Sequence, residues 1–168
     1  MKGLEQNKNL LTLSATRRLV AFMLSVIVET AEAGDRLPAL LAALTSLAVE
    51  GLVREVLIAG GGPPELLAVL REETGAELSA KLADAIAVSR SERLLVLPAK
   101  IRLRSGWLEM LAGHLRGGGG DAVIVGEGGF FGKKPFGVLM ARAAAVDLTH
   151  PDLKRLRAQL GRDAVRLD

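Results

Sequence analysis

The stretch Arg93-Leu-Leu-Val-Leu-Pro-Ala-Lys-Ile-Arg-Leu-Arg-Ser-Gly-Trp-Leu-Glu109 decides the fold class of this chain. It opens with an uninterrupted apolar run from Leu94 to Leu97, which is typical of a strand buried on both faces. A cationic loop follows, and apolar residues then recur at helical spacing after Ser105, the predicted N-cap. The stretch therefore predicts a strand, a loop and a helix, the unit from which α/β proteins are built.

The same order of elements extends along the rest of the chain. Strands are predicted at 24–28, 55–59, 121–125 and 136–140, and helices at 35–49, 65–74, 79–90 and 151–160. Asp35 is the predicted N-cap of the first helix. Over 168 residues, this alternation predicts a single-domain α/β protein with a doubly wound, mostly parallel sheet and helices on both faces. We expect residues 23–168 to form the domain and residues 1–22 to be a leader or an extension added for expression.

Composition excludes several classes of site and partner. The chain has no cysteine and only two isolated histidines, so disulfides, thiolate metal sites and histidine-rich metal centres are excluded. Its formal net charge of +3 is too small to indicate nucleic acid as a partner. No apolar run reaches the roughly 18 residues that a membrane span needs. The first 22 residues lack the pattern of a secretory signal, and we expect a cytoplasmic protein.

Ligands of doubly wound sheets bind beyond the carboxyl ends of the strands, where the strand order switches. Three loops meet this condition, at 29–34, 60–64 and 98–104. The candidate nucleotide- or phosphate-binding residues in them are Glu29, Thr30, Gly60, Gly61, Gly62, Lys100 and Arg102.

The triple glycine and the cationic loop each have two interpretations. Glycines 60–62 let backbone N–H groups approach a phosphate, but two prolines follow them and a tight structural turn is the alternative. Lys100, Arg102 and Arg104 alternate and would share one side of an extended segment, where they could hold a diphosphate. Solvated surface cations are the alternative. Glu127, in the glycine-rich loop 126–132, is the one candidate for a general base.

Several segments together resemble family 2 glycosyltransferases with the GT-A fold. Residues 25–30 and 36–44 are similar to the opening strand and helix of that family, and 51–62 to its second strand and paired-glycine turn. Residues 93–109 are similar to its metal-binding strand, through to the Gly-Trp-Leu-Glu ending, and 137–143 carry a weaker likeness. The resemblance implies the GT-A fold, a nucleotide sugar as ligand and glycosyl transfer as the activity of the family.

The chain departs from the family pattern at the residues that carry the chemistry. The family's aspartate that contacts the base or ribose corresponds to Gly60, and its metal-binding aspartate corresponds to Lys100. The late acidic motif that supplies the catalytic base has no clear counterpart. Because Lys100 would repel a divalent ion, we expect no metal and no other cofactor. The resemblance therefore implies a degenerate member that lacks the metal-binding acidic motif.

Three functions stay open at this point. The first is a degenerate glycosyltransferase-like domain that acts by binding or assembly. The second is an active, metal-independent glycosyltransferase in which Lys100 and Arg102 hold the diphosphate. The third is a non-catalytic protein-interaction module that uses the basic segment 133–168, which has eight Lys or Arg and four Asp. A nucleotidyltransferase fits less well, because its glycine-rich loop follows the first strand. Candidate partners are a nucleotide sugar, a second copy of the chain or another protein.

Overall fold

The computed structural model describes residues 23–30, 36–128 and 133–168. The strands are β1 (Leu24–Glu29), β2 (Val53–Ala59), β3 (Glu77–Ser79), β4 (Arg93–Pro98), β5 (Ala122–Val125), β6 (Phe136–Ala141) and β7 (Val165–Leu167). The helices are α1 (Leu37–Val49), α2 (Pro64–Thr74), α3 (Leu82–Val88), α4 (Trp107–Arg116), α5 (Arg142–Val146) and α6 (Leu153–Gln159). Among these helices none has the length and apolar character needed to cross a membrane.

The described strands form one sheet in the order β3-β2-β1-β4-β6-β5-β7. β1 pairs in parallel with β2 and β4, β2 pairs in parallel with β3, and β5 pairs in parallel with β7. β6 lies between β4 and β5 and is antiparallel to both. The sheet is therefore mostly parallel, as the sequence predicts, and β6 alone of the described strands runs in the opposite direction.

Side chains of the central strands alternate between two layers of helices, because successive residues of a strand point to opposite faces. Val26 and Leu95 pack with α1, α2 and α4 on one face. Ile27 and Val96 pack with α3, α5 and α6 on the other. All four side chains are fully buried. Burial on both faces explains why these strands are continuous apolar runs, and helices on both faces confirm the doubly wound prediction.

The winding of the chain reverses at β1. The chain runs from β1 to β2 and β3 on one side, and then returns to β4 on the other side of β1. The register places Glu29 of β1 opposite Pro98 of β4, so the carboxyl ends of these two strands lie side by side. Because β6 is antiparallel to β4, its first residue, Phe136, lies at the same edge of the sheet. A crevice between these three strand ends is the expected place for a ligand.

A polar cluster around Glu55 ties the strands together at the opposite edge of the sheet. The Glu55 carboxylate accepts hydrogen bonds from Ser25 Oγ at 2.5 Å and from the Arg90 backbone N–H at 2.6 Å. Arg90 Nε lies 3.0 Å from the second carboxylate oxygen of Glu55. Ser25 Oγ accepts a hydrogen bond from the Ser91 backbone N–H at 3.0 Å. These contacts join the amino ends of β1 and β2 to the segment that enters β4, and so fix the alignment of the strands.

Several element boundaries differ from the sequence prediction. Ser105 is not the N-cap of α4; Gly106 holds that position at a φ of 81°, and no side chain caps the helix. The helix predicted from residue 79 begins only at Leu82, because 77–79 form β3. β3, β7 and α5 were not predicted, since such short elements show no periodicity. Helix α1 begins at Leu37, whereas its predicted cap, Asp35, lies outside the described residues.

Gly137 is required where β6 lies against β4. A Cβ built there would lie within contact distance of the Leu97 side chain and 2.9 Å from the Val96 carbonyl oxygen. We expect Gly137→Ala to lower the free energy of unfolding by about 1–3 kcal/mol, because overpacked core atoms must shift. Urea denaturation measures the change.

Gly113→Ala is the matched control for this variant. Gly113 lies in α4, and nothing lies within 4 Å of a Cβ built there. Alanine at an unhindered helical position stabilises by about 0.5–1 kcal/mol relative to glycine. Equal unfolding free energies for the two variants would contradict the close approach of β6 and β4.

Candidate ligand-binding cleft

A cleft of about 870 Å³ opens at the switch point, between the carboxyl ends of β1 and β4 and the amino end of β6. Its cationic lining residues are Arg36, Lys100, Arg102, Lys133, Lys134 and Lys154. Its carboxylates are Glu29, Glu127 and Asp152. Six cations and three carboxylates give the described lining a formal charge of three positive, which favours an anionic ligand.

The loop after β4 is anchored so that two of its cations line the cleft. The Ala99 backbone N–H donates a hydrogen bond to the Glu29 carbonyl oxygen at 2.8 Å, which extends the pairing of β1 and β4 by one residue. The Ile101 side chain is buried in the core. Lys100 and Arg102, on either side of Ile101 in the sequence, are exposed and both line the cleft.

The loop after β5 is fastened to the loop after β4. The Glu127 backbone N–H donates to the Arg102 carbonyl oxygen at 2.7 Å, and the Gly126 N–H donates to the Pro135 carbonyl oxygen at 2.8 Å. A Cβ on Gly126 would lie 2.6 Å from Ile101 Cγ1, so only glycine fits without displacing its neighbours. These contacts place the Glu127 side chain in the same cleft as Lys100.

Glu29 lies half-buried among the charges of the cleft. Burial raises the pKa of its carboxyl, the neighbouring charge of Asp152 raises this pKa further, and Lys100 opposes both effects. Asp152 is the N-cap of α6, where its carboxylate accepts a hydrogen bond from the Arg155 backbone N–H at 2.9 Å. Three charged groups from β1, from the loop after β4 and from the start of α6 therefore influence one another here.

Thr30 and the triple glycine lie outside this cleft. Thr30 Oγ1 shares its single proton between the carbonyl oxygens of Gly61 at 2.7 Å and Ala59 at 3.2 Å, so its hydroxyl holds the turn after β2. Gly61 and Gly62 line a separate groove of about 540 Å³ beside α2 and β3. Gly60 has a φ of 111°, a conformation that L side chains rarely adopt.

The structure therefore brings four of the eight candidate residues into one cleft, namely Glu29, Lys100, Arg102 and Glu127. The other four, Thr30 and residues 60–62, lie elsewhere. Arg104, predicted to share a side with Lys100 and Arg102, is not among the lining residues of the cleft. The segment is therefore not extended in a way that keeps all three cations together.

Other charged residues of the cleft were not identified from the sequence. Lys133 and Lys134 precede β6, and Asp152 and Lys154 flank the start of α6. A search at the carboxyl ends of parallel strands misses them, because the antiparallel β6 brings its amino end to the cleft. The excess of basic residues after position 132 was the one sequence signal that pointed to them.

The described side chains of the cleft are not arranged to hold a divalent metal ion. The part of the chain that the structure describes contains no group of three or more Asp, Glu, His or Cys side chains placed to hold one. In the cleft, Lys100 adds a positive charge close to Glu29. A cation at that place opposes the approach of another cation.

Replacing Glu29 by glutamine tests the electrostatics of the cleft. The folded state raises the pKa of Glu29, so folding favours the neutral carboxyl and its ionisation costs stability. This cost is absent below the ordinary pKa of glutamate, grows as the pH rises towards the raised pKa of the folded state, and is complete above it. We expect Glu29→Gln to raise the Tm at about pH 8 and to have little effect at about pH 4.

The control for this measurement is Glu92→Gln, at an exposed position outside the cleft lining. Its effect on the Tm in thermal denaturation should be small at both pH values. A Glu29→Gln variant that is less stable than the native chain at the higher pH would show that the ionised carboxylate is stabilising.

Comparison with known proteins finds similarity to solved structures in the arrangement of the chain. No family model matches this sequence, and no curated protein sequence matches it. The UDP complex of glucosyl-3-phosphoglycerate synthase from Mycobacterium tuberculosis aligns with a TM-score of 0.63 at 16% identity, covering 90% of this chain and 72% of that chain. Its complex with Mn²⁺, UDP and glucosyl-3-phosphoglycerate aligns with a TM-score of 0.61 at 15% identity, with the same coverage.

A third structure of this enzyme, in complex with phosphoglyceric acid, gives a TM-score of 0.62 at 13% identity, covering 89% of this chain and 70% of that chain. These identities are low, so the agreement concerns the arrangement of strands and helices. With its mostly parallel seven-stranded sheet and its cleft at the β1–β4 switch point, the chain has the GT-A type of fold found in family 2 glycosyltransferases.

Proposed function

We propose that this chain is a glycosyltransferase-like domain that binds the diphosphate of a nucleotide sugar without a divalent metal, and that it acts by binding rather than by transfer. The observation that carries the proposal is the cationic cleft at the switch point, where Lys100 and Arg102 face the same space. Ligands of this type of sheet bind at that place.

The charge of a diphosphate requires compensation when the group leaves water. In the complex of the mycobacterial enzyme named above, UDP is present together with Mn²⁺. In the sequence pattern of the family, Lys100 stands at the position of the metal-binding aspartate. An ammonium and a guanidinium group can each donate charge-assisted hydrogen bonds to phosphate oxygens. Lys100 and Arg102 therefore supply positive charge where the family uses an ion.

The small choice of carboxylates in the described cleft supports binding without transfer. Transfer requires a base that removes a proton from the acceptor. Asp152 is engaged as a helix cap, and Glu29 is half-buried at the end of β1. Among the carboxylates of the described lining, Glu127 is left for such a role, and it lies on an exposed loop.

Removing either cation should weaken the binding of UDP. Loss of one hydrogen bond to a charged group costs about 1.5–3 kcal/mol, so we expect Lys100→Ala and Arg102→Ala each to raise the Kd by about 10- to 100-fold. Isothermal titration calorimetry measures the Kd with and without Mn²⁺. Adding Mn²⁺ should not lower the Kd of UDP for the native chain.

Arg162→Ala is the matched control, because Arg162 is exposed and is not part of the cleft lining. This variant should bind UDP as the native chain does. Equal losses in all three variants, or a large gain in affinity on adding Mn²⁺, would count against the proposal.

Metal-independent glycosyl transfer is the second candidate, favoured by the position of the Glu127 carboxylate in the cleft that Lys100 and Arg102 line. In that case the native chain should release nucleotide from one member of a panel of nucleotide sugars. Glu127→Gln should then lower kcat by at least about 100-fold while leaving the affinity for UDP unchanged, whereas Glu92→Gln should alter neither. Absence of turnover with every donor would support binding alone.

A protein-interaction module remains a weaker alternative. Lys133, Lys134 and Lys154 belong to the basic segment on which that hypothesis depends, and all three line the cleft. We therefore assign them to the anionic ligand rather than to a protein partner. A second copy of the chain as partner and a location in the cytoplasm stay predictions.

A further inference from the structure

Glu29 is a carboxylate in a cleft that is otherwise suited to an anion. It ends β1, lies half-buried, and shares the cleft with Lys100 and Asp152. An ionised carboxylate accepts hydrogen bonds but cannot donate one, whereas a protonated carboxyl has an O–H donor. The charge state of Glu29 therefore decides whether it opposes or assists a phosphate group beside it.

We propose that Glu29 takes up a proton when a diphosphate enters the cleft, so that binding of the anion is coupled to binding of a proton. The inference rests on the proposed function, because it concerns the same ligand in the same cleft. The inference predicts in which direction the affinity for the anion changes with pH, and the proposed function alone does not predict this.

In the free cleft, opposing effects act on the pKa of Glu29, and the net result is a raised pKa. Burial and the charge of Asp152 favour the neutral carboxyl and raise its pKa, while Lys100 favours the ionised form. The other charged side chains that line the cleft are the cations Arg36, Arg102, Lys133, Lys134 and Lys154 and the carboxylate Glu127.

A bound diphosphate changes this balance in one direction only. It neutralises the cations that favour the ionised carboxylate, and it brings its own negative charges close to Glu29. Both effects favour the neutral carboxyl. The neutral form can then donate its O–H to a phosphate oxygen.

The direction of proton exchange on ligand binding, uptake or release, distinguishes this mode of binding from metal-assisted binding. When a metal ion binds to protonated carboxyl ligands, protons are released. A diphosphate held by lysine and arginine beside Glu29 has the opposite effect, because an added anion raises the proton affinity of a neighbouring carboxylate. Measuring the direction of proton exchange therefore tests the chemistry of the site directly.

Isothermal titration calorimetry with inorganic pyrophosphate, in buffers of different ionisation enthalpy, measures the number of protons taken up. Pyrophosphate itself titrates near neutral pH, so the informative quantity is the difference between the native chain and Glu29→Gln at one pH. At about pH 7 the native chain should take up more protons than the variant, by up to about one per ligand. Glu92→Gln should behave like the native chain.

A second variant distinguishes electrostatic coupling from a structural effect. Asp152→Asn keeps a good N-cap residue at the start of α6 but removes the charge that raises the pKa of Glu29. The pH range in which the native chain takes up the extra protons should therefore move to lower pH in this variant. A role for Glu29 in packing alone would not produce such a shift.

The possible outcomes separate the inference from the proposed function. Pyrophosphate binding with equal proton uptake by the native chain and by Glu29→Gln would overturn the inference and leave the function standing. An unmoved pH range in Asp152→Asn would also overturn the inference. No binding by the native chain or by Glu29→Gln between about pH 5 and 8 would overturn the function, and the inference with it.

Discussion

The cleft exists because β1 pairs in parallel with two strands that the chain reaches by opposite routes. β2 follows β1 directly through α1, and β4 returns to the other side of β1 after α3. Parallel neighbours end at the same edge of a sheet, and the cleft lies at that edge, beside Glu29 of β1 and Pro98 of β4. The cluster of Ser25, Glu55 and Arg90 at the far edge keeps the three strands aligned, so the positions of Glu29 and Lys100 depend on contacts outside the cleft.

Charge is the second constraint on this site. A diphosphate that enters a half-enclosed cleft loses part of its hydration, and nearby positive charge must compensate for it. A divalent ion concentrates that charge at one point and requires carboxylates around it. Lysine and arginine spread the charge over several side chains, and carboxylates among them then oppose the ligand unless they become neutral. In the proposed binding mode, Glu29, which is influenced by both Asp152 and Lys100, ties the affinity for an anion to the protonation of the cleft.

The architecture was predictable where burial leaves a mark on the sequence. β1 and β4 are continuous apolar runs because helices cover both faces of the sheet. β3 and β7 have three residues each, too few for a pattern. The direction of β6 was not predictable, because an apolar strand has the same pattern whichever way it runs. Lys100 and Arg102 were found from their place after a parallel strand, whereas the charges before β6 depend on that undetermined direction.

The loop after β2 shows a further limit of the sequence argument. Its glycines follow a parallel strand beside β1 and were expected to share the ligand site with Lys100. The Thr30 hydroxyl instead contacts the carbonyl oxygen of Gly61, and Gly61 and Gly62 line a different groove. The Thr30 hydroxyl, together with the hydrogen bond from the Gly60 backbone N–H to the Ser79 carbonyl oxygen at 3.0 Å, holds this loop in place. A threonine at position 30 does not indicate which backbone carbonyl oxygen its hydroxyl will contact in the folded chain.

The backbone contacts around the cleft determine how a change of charge there can be interpreted. Ala99 N–H to Glu29 O, and Glu127 N–H to Arg102 O, are bonds between main-chain atoms that no side-chain substitution removes. Ile101 is held in the core between the two cations. A substitution at 29, 100 or 102 therefore alters charge while the loops keep their anchors. Because the spacing of the charges is set by the sheet and its loops, differences in ligand affinity between such variants report on electrostatics rather than on movement of the site.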